Sequence, residues 1–450
     1  MMLNFDVAVI GGGIAGAMAA VAAARAGKKV ILVEKYGFLG GMLTAAGVGP
    51  MMTFHAGDLQ VVRGLTGELI DRLKAKHLSP GHLVDTTGYT FSVTPFDAEG
   101  MKRELDLMCV ESGVELLFHA QLVGVRRAGD RIAAVTVAAG GHRLELAAAV
   151  FVDATGDANL AALAGVPTTK GRPEDGRTQP MTMNVKFSNV DIAGIRRFIK
   201  SHPEEFPRLK DNLAIIDRAE RLSIGGFAGI LKRAREAGEI TFPREDVLFF
   251  ETNTPGEVIV NTSRIIDLDP TDPFELSRAE IEGRRQAEEL IRFMRRRIPG
   301  FEHAAVVSSG PQVGVRSSRQ LVGLYSIAVD DILAARKFPD AVVCNAYPID
   351  IHSSVPGEAS RHAHLAPGEY YTIPYRALVN ADAANLIVAG RSISGAFAAQ
   401  AAFRTTPCVG AIGHAAGAAA ALVAGGDGDC RRVDYAALKA LLLEQGAFLP

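Results

Sequence analysis

Short apolar runs and small-residue stretches alternate at the start of the chain. Residues 7–10 (Val-Ala-Val-Ile) form a continuous apolar run of the length a buried parallel strand needs. An alanine-rich stretch over 14–26 follows as a helix, and Val30-Ile31-Leu32-Val33 follows as a second strand. Residues 148–153 and 385–388 read as further buried strands, each ending in a small-residue turn, and 407–422 reads as an alanine-glycine helix. The chain between about 166 and 369 differs in kind. Amphipathic helices are predicted over 227–236 and 277–297, strands over 258–260 and 304–308, and a surface loop over 267–273. Ser277-Arg278-Ala279-Glu280 has the form of a capping box opening the longer helix. Arg295, Arg296 and Arg297 suit its solvated C-terminus, where cations favour the dipole.

Glycines at 11, 13 and 16, between the first strand and the helix, have the G-x-G-x-x-G spacing. Gly11 permits a tight turn, Gly13 lets a pyrophosphate approach the backbone, and Gly16 lets the helix lie close to the strand, with Ile14 and Ala15 in its first turn. Glu34, ending the second strand, can accept from both hydroxyls of a ribose and disfavours a 2′-phosphate. The unit therefore predicts dinucleotide binding. Lys35 and then Gly40-Gly41-Met42 add a second close-approach turn, which an extended FAD requires and an ordinary NAD domain does not. Ala154-Thr155-Gly156-Asp157 and Gly390-Arg391 are further turns of this kind, and Val123 is added to the expected FAD contacts. No second dinucleotide unit follows, because Gly225-Gly226 and Gly310 lack the strand-helix frame.

These segments resemble the flavoprotein superfamily that includes the fumarate reductase and succinate dehydrogenase flavoprotein subunits, with the glutathione-reductase-type FAD-binding fold. More narrowly, seven segments resemble the family of FAD-dependent oxidoreductases. They are Gly37-Phe38-Leu39-Gly40-Gly41-Met42, Gly314-Val315-Arg316, Tyr347-Pro348-Ile349-Asp350-Ile351-His352, Ile373-Pro374-Tyr375-Arg376, Asn385-Leu386-Ile387-Val388-Ala389-Gly390-Arg391, Arg404-Thr405-Thr406-Pro407-Cys408 and Gly413-His414-Ala415-Ala416-Gly417. The resemblance implies an α/β fold: a Rossmann-like FAD-binding domain (parallel sheet with helices) with an inserted mixed α+β substrate domain. The cofactor domain would be discontinuous, 1–165 and 370–450, with 166–369 as substrate or cap domain. The resemblance supplies no agreed reaction, and Arg391 stands where many relatives in the wider superfamily carry an acid.

Composition narrows the partners. With 450 residues the chain is long enough for two domains, and a net charge of -2 gives no basic surface for nucleic acid or an anionic membrane. The most apolar stretches, interrupted by Arg404, Pro407 and His414, fall short of a membrane span, and no secretory signal is read at the start, so cytoplasm is expected. Cys109, Cys344, Cys408 and Cys430 form no C-x-x-C pair, which argues against disulfide-reductase chemistry and metal ligation and favours buried apolar roles.

The expected chemistry is hydride transfer between flavin N5 and a small polar metabolite, with oxygen or an electron-acceptor protein as second partner. A flavin oxidase or monooxygenase, or a flavin-binding subunit without catalysis, is the alternative, and homo-oligomerisation stays open. Pro407, Gly410 and Ala411 place a helix N-terminus where its dipole faces the reduced flavin, while Gly413 and Gly417, four apart, would also suit close helix packing. Arg404 is the favoured substrate anchor; Arg316 and Arg319 fit an anion or a structural pair equally, and Arg376 and Arg391 also interrupt small-residue segments. Asp350 and His352 share a face if their segment is a strand, giving a carboxylate-oriented base. Tyr371 and Tyr375 are phenol candidates, with core packing as the stronger reading, although Tyr375 stays in the catalytic set. His55 is the alternative attachment point should the FAD, expected to be noncovalent, prove covalent.

Overall fold

Residues 2–209, 212–352, 361–366 and 368–450 are described by the computed structural model. The strand expected over 7–10 runs from Met2–Ile10, because its first half finds a partner of its own: Met2 to Phe5 register with Glu145 to Ala148. It lies in a seven-stranded sheet in the order Glu115–Leu117, Val30–Val33, Met2–Ile10, His142–Asp153, Arg131–Ala139, Ala120–Ala128. Leu386–Val388 pairs in parallel with the end of His142–Asp153, so a segment late in the sequence completes the sheet. The parallel half is buried on both faces at its centre, over Val7 to Ile10, Val30–Val33 and Leu386–Val388. The other half is an antiparallel meander with partly exposed positions, as its alternating burial shows.

The Ile14–Arg25 helix is buried everywhere except Arg25, as an apolar helix without a polar face must be. One side lies on the sheet and the other on the Thr406–Ala424 helix. The second helix approaches through glycines: a Cβ on Gly413 would stand 2.0 Å from the Ala15 carbonyl oxygen, and one on Gly417 2.0 Å from that of Ala19. The packing reading of those two glycines is therefore correct. The Thr406–Ala424 helix is also long and apolar enough to cross a membrane by length and composition, which the sequence reading had denied; 83% of its most apolar window is buried inside the protein.

A second, antiparallel sheet has five strands in the order Ser223–Gly226, Val247–Glu251, Val258–Val260, Val185–Ser188, Ala305–Ser309. Its own core is completed by Leu290, Phe293 and Met294 from the Pro273–Arg297 helix. That helix starts a turn before the expected Ser277. Asp272 is the N-cap, accepting from the amides of Phe274 and Glu275, and Pro273 fills the first helical position where no donor is needed. Ser277 instead donates back to the Pro273 carbonyl. The fold class is thus the expected one: a Rossmann-like α/β layer with a second, antiparallel-sheet layer.

Candidate active site

The glycine turns lock into one another. A Cβ on Gly16 would stand 1.8 Å from the Gly11 carbonyl oxygen, and one on Gly41 2.8 Å from the Gly13 Cα, so the two turns are in backbone contact. Gly13 itself is open on its other side: a Cβ there would meet only the Gly41 Cα, at 3.8 Å. Gly40 belongs behind this surface, its amide donating to the Gly12 carbonyl at 2.9 Å. Glu34 is 7% exposed, accepts from the amides of Gly12 (2.5 Å) and Tyr36 (2.9 Å), and burial raises its pKa. Each carboxylate oxygen keeps a second lone pair for a ribose hydroxyl. The turn at Ala154 is held by Asp153, which accepts from the Thr155 amide (3.0 Å) and hydroxyl (2.7 Å) and from the Ala161 amide (2.9 Å).

These turns line one cavity of about 460 Å³. Gly11, Gly13, Ile14, Ala15, Glu34, Lys35, Gly41 and Met42 contribute from the start of the chain, Ala154 to Asp157 from the middle, and Gly390 and Arg391 from the end. Arg391 pairs with Asp157 at 2.6 Å across this wall. Gly16 and Gly40 act by packing, and Val123 lies outside the cavity, 42% exposed on the meander, so its expected contact is not formed. Of the Thr406–Ala424 helix, Thr406 and Val409 reach the cavity, together with Thr405 before it, while Pro407, Gly410 and Ala411 do not. Gly410 faces the other way, its hypothetical Cβ 2.5 Å from the Thr66 hydroxyl. The helix end is at the cavity as expected, on different residues.

Beyond the cofactor turns the same cavity is lined by Arg404, Asp350 and His352, as the sequence suggested, and by Arg316. Asp350 ends up among cations and donors: His352 Nε2 at 3.1 Å, His362 Nδ1 at 3.2 Å, Arg404 Nη2 at 3.7 Å and the Tyr347 hydroxyl at 3.3 Å. Burial alone would raise its pKa, but His352, His362 and Arg404 outweigh that and hold it well below the usual carboxylate range. Burial, reinforced by Arg316 and Arg404 against the pull of Asp350, pushes His352 down to about 3. The imidazole is therefore neutral, Nε2 carries the proton toward Asp350, and Nδ1 is left a bare acceptor, buried with no hydrogen-bond partner among the described residues.

Other expectations are corrected by what the side chains touch. The Tyr375 hydroxyl donates to the Cys430 carbonyl at 2.8 Å, and the Tyr371 hydroxyl accepts from Asn345 at 2.6 Å; both rings are buried outside the cavity. Tyr375 is structural, and Tyr375→Phe is expected to lower unfolding free energy by about 1–3 kcal/mol through the orphaned carbonyl while leaving turnover unchanged, as denaturant titration and assay would read. Arg319 hydrogen-bonds Asn159 at 3.1 Å and the Asp157 carbonyl at 3.4 Å, and Arg376 forms a fork with Asp340, so neither faces the cavity. His55 bonds Ser92 at 2.9 Å and also lies outside the lining, which removes it as an attachment point. The four cysteines are buried, as expected. Sequence reasoning missed Tyr89, Arg208, Arg244, Asp246 and His362, which line the cavity but sit in no recognisable spacing.

The site's histidine chemistry has a structural counterpart. His414, buried in the Thr406–Ala424 helix, is pushed down to about 4 by burial, against the favourable Gln445 bond at 2.7 Å. Unfolded histidine protonates near about pH 6.5, the folded one only near 4, so unfolding takes up a proton in that window and stability falls as acid is added. The wild-type unfolding free energy is expected to fall between those values by about 1.4 kcal/mol per pH unit more steeply than that of His414→Gln; parallel slopes would contradict this.

The lining fits FAD. Gly13 and Gly390 leave their faces to the cavity, and Asn184 Oδ1, Arg391 Nε, Arg404 Nε and Thr405 Oγ1 are buried there without hydrogen-bond partners among the described residues. No curated protein matches the chain. Among solved structures it is similar to a flavin-dependent brominase, at 14% identity and TM-score 0.51, over 97% of this chain and 83% of that one. A geranylgeranyl bacteriochlorophyll reductase-like protein from Thermoplasma acidophilum aligns at 14% identity and TM-score 0.48, over 99% and 85%. Neither is a fumarate reductase, and at 14% identity the likeness to the brominase shows the fold alone. A profile of the FAD dependent oxidoreductase family matches residues 6–442; the chain belongs to that family and its cofactor is FAD.

Proposed function

We propose that this FAD-dependent oxidoreductase moves a hydride between flavin and a small polar metabolite, with His352 as proton carrier and Arg404 as anchor. The observation that carries the reading is the neutral His352, its Nε2 committed to Asp350 and its Nδ1 unpartnered, in the cavity lined by the glycine turns. FAD, when bound, supplies the two-electron acceptor or donor. Gly13 and Gly41 would hold its pyrophosphate through backbone contact, Glu34 the adenosine ribose, and the backbone amides at Thr405 and Thr406 the negative charge of the reduced ring. Asp350 fixes the tautomer of His352, so that Nδ1 accepts a proton from a substrate hydroxyl or amine, and the imidazolium so formed is stabilised by the carboxylate. Arg404 holds an oxygen of the substrate beside it.

The test starts with acid precipitation of the purified protein. Yellow FAD released to the supernatant is expected, followed by anaerobic bleaching of the holoprotein with its substrate among alcohols, amines and unsaturated acids. Colour kept in the pellet would overturn noncovalent binding. Failure of every reductant to bleach the flavin would overturn catalysis, and rapid reoxidation in air would favour an oxidase or monooxygenase.

A further inference from the structure

The charges on the substrate side of the cavity do not balance. Four guanidinia line it, those of Arg208, Arg244, Arg316 and Arg404, together with the carboxylates of Glu245, Asp246, Glu280 and Asp350. Glu245 is engaged by Arg264 at 3.1 Å and Glu280 by Arg284 at 3.4 Å, both partners outside the lining, so four cations face two available carboxylates. The imidazole of His352 is neutral and adds nothing. On the cofactor side no such surplus exists, since Arg391 is matched by Asp157 and Lys35 by Glu34 beside it.

The surplus falls on particular groups. Arg316 is partly buried, and the hydrogen bonds of its side chain among the described residues go to neutral oxygens: the Pro180 carbonyl at 2.7 Å, the Thr182 hydroxyl and Asn261 Oδ1 at 3.5 Å. Among the described residues the Arg404 side chain makes no hydrogen bond; Asp350 is 3.7 Å away and already shared with two imidazoles. Arg244 spends only Nε, on the Asp246 carbonyl at 3.2 Å, while the Asp246 carboxylate is 3.6 Å away and held at 2.8 Å by Arg208. A buried guanidinium without an anion is a costly arrangement unless an anion arrives, and its planar fork suits a carboxylate or a phosphate.

We infer that the substrate carries two negative charges, one met by Arg316 with Arg404 beside His352 and the other by Arg244. The inference rests on the cavity being the active site proposed above. Two carboxylates and one phosphate ester share this chemistry, and the probes separate them. Holoprotein is titrated with butyrate, glutarate, inorganic phosphate and glycerol 3-phosphate, following the perturbation of the flavin absorption band and the thermal midpoint. Glutarate, or the phosphate compounds, is expected to bind at least about tenfold more tightly than butyrate. Preference for glutarate assigns two carboxylates; preference for phosphate or its ester assigns a phosphorylated substrate. Arg244→Met is expected to remove the preference and leave butyrate binding unchanged, Arg244→Lys to keep it, and Arg316→Met to weaken every anion. Equal binding of butyrate and the dianions, or a preference that survives in a folded, FAD-loaded Arg244→Met protein, would overturn the inference. Because binding is read without turnover, a failure of the hydride reading appears separately, as a flavin that binds dianions and is bleached by none of the substrates.

Discussion

Gly413→Val is expected to yield a protein that neither folds stably nor keeps its flavin. The new Cβ would lie 2.0 Å from the Ala15 carbonyl oxygen, a backbone atom that no rotamer change can move aside. The Ile14–Arg25 helix cannot retreat, because Gly16 already brings it into contact with the Gly11 carbonyl on its opposite side. Overpacking that side chains can absorb costs about 1–3 kcal/mol. Here both helix backbones must part, so a loss of at least about 3 kcal/mol is expected from a total of roughly 5–15. The glycine turn that would hold the pyrophosphate moves with the helix, which ties the stability loss to loss of FAD. Urea midpoints and flavin content read both. Gly426→Ala, where the added Cβ meets nothing nearer than 3.7 Å, is the control and is expected to stay within about 0.5 kcal/mol of wild type. A Gly413→Val protein with a wild-type midpoint and full flavin content would refute the packing argument.

The second large effect is on turnover. His352→Gln keeps a polar side chain beside Asp350 but cannot carry a proton, and a fall in kcat of about 10²–10⁴ is expected with FAD content unchanged. Asp350→Asn is expected to act through the histidine. An amide donating to Nε2 would leave the proton on Nδ1, the wrong tautomer for a base, and would leave Arg404 without its carboxylate. The pH profile separates this role from a structural one. A base must be unprotonated, so activity is lost as pH falls through its pKa; with His352 pushed down to about 3, kcat/KM is expected to show no acid limb between about pH 7 and about pH 5. A limb near the ordinary histidine value that disappears in His352→Gln would show the imidazole to be far less buried than this.

What was legible in the sequence was local. Gly11, Gly13, Gly16 and Glu34 stand in a fixed relation within one strand-helix-strand unit, so spacing alone locates them, and Asp350 and His352 are two apart on an extended segment. Arg208, Arg244 and Tyr89 were not legible, because each reaches the cavity from a different segment and nothing next to them in sequence signals it. Tyr375 was misread for the same reason: the carbonyl that occupies its hydroxyl belongs to Cys430, 55 residues away. His55 was only an alternative, raised by its proximity to a glycine turn, and its ring is turned to Ser92, 37 residues on. At Ser277 two local signals competed, and Asp272 with Pro273 won because together they satisfy two amides and need no donor at the first position. The membrane-length helix shows the converse, since composition alone does not say what will cover an apolar surface.

That cover arrives late. The Thr406–Ala424 helix that shields the outer side of the Ile14–Arg25 helix is made roughly 380 residues after it, and at about 5–20 residues per second the wait is ~20–80 s. The strand Leu386–Val388, which completes the central sheet, is nearly as late. For most of its synthesis the nascent protein therefore displays an alanine-rich surface and an open sheet edge. Its yield in a cell should depend on holdase chaperones far more than its finished, well-buried core would suggest.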